Sequence, residues 1–187
     1  MRSPRLKSLA LLVGFAAAVT LRVGLGGHDV SRSRTAGLTF AACLLLLTAV
    51  AGTRWRVRWV AAVAGLGTGV VLCLPAIAIR VIAGDAHRPA GSFLVWAAVV
   101  AVVAIAEEGF LRGALRDSLC GWLGVNRSIL VTSACFGLLH VPLYGWVALP
   151  LDLAVGIILG LLREAAGSPT APAVAHVTAD VVAWWLR

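Results

Sequence analysis

Charge is scarce in this chain. Only 13% of its 187 residues are Asp, Glu, Lys or Arg, and only 8 are acidic. Ordinary soluble domains carry about a quarter charged residues, so a water-facing surface of usual composition is excluded. The long apolar runs also lack any alternation with polar residues, which excludes a transmembrane barrel. Cys43, Cys73, Cys120 and Cys135 share no CxxC or other metal-ligand spacing, so they read as small apolar packing residues. No Gly/Ser-rich or Pro-rich linker and no repeat of fixed period divides the sequence, which makes residues 1–187 a single membrane domain. A basic, aromatic-studded polar segment is missing as well, and nucleic acid is excluded as a partner on that ground.

What is present is apolar. Hydrophobic residues make up 60% of the chain, and its mean hydropathy is +0.96. Several runs approach the roughly 20 residues that cross about 30 Å of hydrocarbon, where backbone polar groups must be satisfied within the segment. The expected fold is therefore all-α, a polytopic membrane bundle of about seven transmembrane helices. They are placed near Leu6–Leu25, Thr35–Gly52, Val57–Ile82, Ser92–Leu111, Ser128–Val141, Gly145–Leu162 and Ala171–Leu186. The break between the fifth and sixth is the least marked, because "HVPLYGW" reads equally as a kink at Pro142. The first run follows Arg2, Arg5 and Lys7 as a signal peptide would, but it is long for a signal core and further spans follow it.

The net charge of +8 comes from arginines at the ends of these runs, where they orient spans and meet lipid headgroups. With the N-terminus in the cytoplasm, the inner segments carry Arg2, Arg5, Lys7, Arg54, Arg56, Arg58, Arg112, Arg116, Arg127 and Arg163. The outer ones carry fewer: Arg22, Arg32, Arg34, Arg80, Arg88 and Arg187. The positive-inside rule favours this orientation, and it puts the end of the fourth span near the cytoplasmic face. Most tryptophans fall near span ends, as interfacial anchors do.

Polar side chains within a span cost free energy and so face a protein interior, a cavity or each other. Three clusters stand out. In "EEGFLR", Glu108 and Arg112 are spaced i, i+4 with the acid first, the favourable order for a helical ion pair. Glu107 is turned about 100° away on the same helix and is left free to face something else. In "FGLLH", Phe136 and His140 share a face at i, i+4. In "AHVTAD", His176 and Asp180 do the same, and a carboxylate there can orient the imidazole. Glu107, His140, His176 and Asp180 come from three spans, and convergence is the simplest way to satisfy them. A carboxylate with two imidazoles around a wet pocket can activate water and stabilise an oxyanion. Glu107, His140 and His176 would equally hold a zinc ion with an open position. Residues 1–91 add transmembrane helices without a catalytic motif, and His28 and His87, beside Asp29 and Asp85 in expected loops, receive no role.

The order EExxxR, FxxxH and HxxxD resembles the CPBP (ABI) family, which includes type II CAAX prenyl proteases and bacteriocin-processing enzymes. The resemblance covers residues 92–187, and "FLRGAL", "SACFGLLH" and "GSPTAPAVAH" look like the family's usual surroundings. It implies a helical membrane bundle with a cavity open to the cytosol and a peptide or protein substrate reached among membrane lipids. Glu107 would activate water with help from His140, His176 and Asp180 would polarise the substrate carbonyl, and Glu108 with Arg112 would position the site. By the same resemblance the cofactor is either a divalent metal such as zinc or none. One residue departs from the pattern: the family commonly has Asn at the position of Asp180, and an ionised Asp cannot donate to an oxyanion. The arginine-, alanine- and valine-heavy composition resembles a bacterial chain, which suggests a bacterial plasma membrane. Two other functions fit intramembrane Glu, His and Asp: a non-catalytic binding or immunity protein of the same fold, and a small transporter, which would lack the usual internal symmetry.

Overall fold

The computed structural model describes residues 3–53, 55, 57–74, 77 and 92–186, and all regular structure among them is helical. Seven helices follow one another: α1 Pro4–Gly26, α2 Arg34–Val50, α3 Trp59–Leu72, α4 Phe93–Leu123, α5 Val125–Tyr144, α6 Leu149–Ala166 and α7 Thr170–Leu186. Four of them, α1, α4, α5 and α6 with their flanking 3₁₀ turns, are long and apolar enough to cross a membrane. Local chemistry sets the starts. Ser3 accepts a hydrogen bond from Leu6 N with Pro4 in the first turn, and Ser33 accepts one from Ala36 N, which satisfies backbone donors that have no intrahelical partner.

The distribution of side chains is inverted relative to a soluble bundle. Large apolar residues such as Leu46, Val60, Val63 and Val147 face outward, whereas Glu107, Glu108, Arg112, Thr132 and Ser133 are buried. Lipid is a good solvent for the first set and a poor one for the second. The chain is a multi-pass membrane protein.

Helix α1 runs antiparallel to α4. Ser8 hydrogen-bonds Ser118 at 2.9 Å, Phe15 stacks on Phe110 with ring centroids 5.5 Å apart, and Arg22 meets Glu107. Helices α5 and α6 form a hairpin, while α7 packs against α3 and α4. One core joins both halves of the chain, with Phe15, Phe40 and Leu44 against Phe110, Leu115 and Phe136.

The seven-helix bundle expected from the apolar runs is what folds, with several boundaries moved. The fourth span does not end at Leu111. The helix passes through a π-helical segment, Gly109–Leu115, and continues to Leu123, so Glu107 and Glu108 lie mid-helix rather than at a helix end. The charges of "EEGFLR" looked like an interface because the side chains that neutralise them come from other helices. Pro142 neither ends nor splits α5, which stops two residues later at Tyr144 before Gly145 (φ 80°). The distal part of the third expected span, and His87 with Asp85, lie outside the described residues.

Candidate active site

The site is built around two adjacent carboxylates held in different ways. Glu108 is fully buried. Its Oε1 accepts from Arg112 Nη1 at 2.9 Å and from His176 Nδ1 at 3.1 Å. Arg112, also fully buried, donates through Nη2 to the Gly156 carbonyl at 3.0 Å, and its guanidinium carbon lies 4.7 Å over the Phe136 ring. A buried ion pair repays its desolvation only with further hydrogen bonds of this kind. The contact with Gly156 depends on close helix packing, because a Cβ built there would lie 3.0 Å from Ser133 Cα.

Glu107, turned away from Arg112, faces a different cation. Its Oε1 pairs with Arg22 Nη1 at 3.4 Å, and Arg22 lies with its guanidinium carbon 4.8 Å over Phe40. Arg22 was expected among the outer-segment charges at the end of the first span, yet it turns into the bundle one helical turn before α1 ends. Arg112, counted among the inner-segment charges, is likewise internal. Removing one residue from each side leaves the charge bias intact.

Phe136 links the imidazoles. Its ring centroid is 4.6 Å from that of His140 and 5.3 Å from that of His176 in an edge-on contact. His140 Nδ1 donates to the Phe136 carbonyl at 2.8 Å. A carbonyl only accepts, so this bond places the proton of a neutral His140 on Nδ1 and leaves Nε2 with its lone pair. His176 faces carboxylates with both nitrogens, Glu108 through Nδ1 and Asp180 Oδ2 through Nε2 at 3.4 Å. Only the imidazolium can donate on both sides. The Asp180 side chain is 39% exposed, which makes it the most open member of the cluster.

One residue was missed. Asp152, in the first turn of α6, has a buried Oδ2 without a hydrogen-bond partner and lies close enough to feel the charges of His140, His176 and Glu107. It is an acid within an apolar run, which is the signal that singled out the others. In the structure it occupies the first turn of α6, where an acid suits the N-terminal dipole. Five helices therefore supply the site, with α1 and α6 joining the three expected.

Glu107, His140 and His176 are the residues that would hold a metal. Among the described residues, no three His, Cys, Asp or Glu side chains are grouped for that purpose, so the fit is poor and no step is derived through an ion. An apolar groove of about 420 Å³ lies between α4 and α7. It is lined by Ile105, Ala173, Val174, Val177 and Thr178, with Trp55 at one wall. Trp55 packs against Gly109 and donates from Nε1 to Thr170 Oγ1 at 3.0 Å, so it serves the bundle interior rather than a lipid interface.

The membrane bundle thus encloses paired glutamates, an arginine and two histidines. The comparison with protein families narrows this further. The family described as Type II CAAX prenyl endopeptidase Rce1-like matches residues 89–182, just over half of the chain, and the chain belongs to it. The match includes Glu107, Glu108, Arg112, Phe136, His140, Asp152, His176 and Asp180, while Arg22 lies outside it. No curated protein and no solved structure matches the chain.

Proposed function

We propose that the protein is an intramembrane endopeptidase that hydrolyses a peptide bond of a membrane-associated peptide or protein, using water activated by Glu107. The observation that supports this is the burial of Glu107 next to a connected polar cluster, in which Glu108 is bonded to Arg112 and His176 and Phe136 packs against both His140 and His176. Water accepted by Glu107 gives up a proton to that carboxylate as its oxygen bonds the substrate carbonyl carbon. His140 assists through the lone pair on Nε2. The oxyanion that forms is countered by the His176 imidazolium, and the proton held on Glu107 then passes to the amide nitrogen as the C–N bond breaks. The products are a carboxylic acid and an amine, and Glu107 returns to its starting form.

The groove on α4 and α7 supports an apolar substrate. The site is proposed to open toward the basic, cytoplasmic end of the bundle. Arg116, one turn beyond Arg112, pairs there with Asp117 at 2.8 Å and with Glu164. A competing reading, a binding pocket without catalysis, draws on the Arg22–Glu107 pair, which already satisfies the carboxylate at rest.

The test is cleavage of a quenched fluorescent peptide library by the detergent-purified protein, with Glu107→Gln and His140→Ala compared and a chelator added to each. Cleavage by the wild type that falls at least a hundredfold in both variants supports the assignment. Loss with chelator alone would move water activation to a metal. Equal cleavage by all three would overturn the site, and folded but inert protein would favour the binding pocket.

A further inference from the structure

We propose that Arg22 of α1 is a positioning residue of the reaction centre, holding Oε1 of Glu107 so that the carboxylate's other oxygen is presented to water. The proposal rests on the hydrolytic reading and extends it to a helix outside the family-matched residues. An arginine this close to the end of a membrane span can reach headgroups at little cost. Arg22 instead turns its side chain, 12% exposed, into the bundle, with Nε buried and unpartnered among the described residues. Such desolvation needs a compensating anion, and Glu107, 2% exposed, is the acid it reaches.

The other cations near Glu107 are already occupied. Arg112 is bound to Glu108 and to the Gly156 carbonyl. His176 is held between Glu108 and Asp180. The Arg22 guanidinium lies over the Phe40 ring of α2, so α1 and α2 together support the position of the Glu107 carboxylate. Small displacements of a reacting group cost heavily: about 1 Å is enough for a hundredfold loss of rate.

The experiment compares Arg22→Ala, Arg22→Gln and Arg22→Lys with the control Thr20→Ala, whose hydroxyl bonds only its own helix backbone at Ala16. Arg22→Ala and Arg22→Gln are expected to lower kcat on the order of a hundredfold with KM within about twofold, Arg22→Lys to recover part of the loss, and added guanidinium ion to restore some activity to Arg22→Ala. Wild-type kcat in a folded Arg22→Gln protein, or a change confined to KM, would overturn the proposal.

Melting of the same proteins gives an arm that needs no substrate. Arg22→Gln is expected to lower the melting temperature in the wild-type background and to leave it unchanged or raise it beside Glu107→Gln, where the arginine is the uncompensated buried charge. Additive shifts would overturn the pairing even if no peptide were cleaved. A non-additive shift with no cleavage by the wild type would place the failure in the hydrolytic reading instead.

Discussion

Glu107 and Glu108 are one residue apart and do different work, because a helix turns about 100° per residue. Glu108 is enclosed by Arg112 and His176, whereas Glu107 has a single, longer contact to Arg22. Replacing Glu108 by Gln leaves Arg112 as an uncompensated buried charge, and breaking such a pair costs about 3–5 kcal/mol. Denaturant or thermal unfolding in detergent should therefore show Glu108→Gln to be severely destabilised. Glu107→Gln should lose far less stability while losing catalysis, and equal melting temperatures for the two variants would contradict the division. The sequence showed Glu107, Glu108, Arg112, His140, His176 and Asp180 because each is polar in an apolar run. Arg22 and Asp152 carried the same information in weaker form. An arginine near a span end and an acid in a first helical turn each have a common and uninteresting explanation, and only tertiary packing separates the cases.

At the scale of elements, seven apolar runs were enough to expect seven helices, since hydrocarbon permits little else. Their ends were harder to see. The π segment of α4 follows directly on the two glutamates, and such segments often occur at functional sites, but no residue pattern announces one. It carries the helix past the charges and keeps all seven of its residues buried. The α5–α6 contact is just as specific and was also invisible, because a glycine in an apolar run has many uses. Gly156 brings the α6 carbonyl to Arg112 and leaves no room for a side chain beside Ser133. Gly156→Val should overpack this contact at about 1–3 kcal/mol and lower peptide cleavage by displacing Arg112. Gly160, whose added Cβ would meet the methyl group of Ile129 at 2.8 Å, provides the comparison: Gly160→Ala should cost stability without a comparable fall in activity. A Gly156→Val protein as stable and active as the wild type would show that the helices adjust freely.

For the whole molecule, the polar interior and the basic end belong to one arrangement. The site lies about 12 Å along α4 from Arg116, taking about 1.5 Å per residue from Glu108. At that end Arg116, Asp117, Arg163 and Glu164 form a connected charge network, and Arg163 Nε donates to the Arg112 carbonyl at 3.1 Å. The positive-inside rule favours the cytoplasm for this end, and the proposal is that the site draws its water from the same side. Single cysteines test the assignment in a background with Cys43, Cys73, Cys120 and Cys135 replaced by alanine. Ser31, in the turn between α1 and α2, and Asn126, at the start of α5, are both exposed and lie at opposite ends of the bundle. A membrane-impermeant thiol reagent applied to intact cells should label Ser31→Cys, and Asn126→Cys only after permeabilisation. The reverse pattern would place the charged network, and with it the mouth of the site, on the outer face. The substrate would then have to be a peptide presented from outside, so the labelling decides which pool of peptides is worth screening.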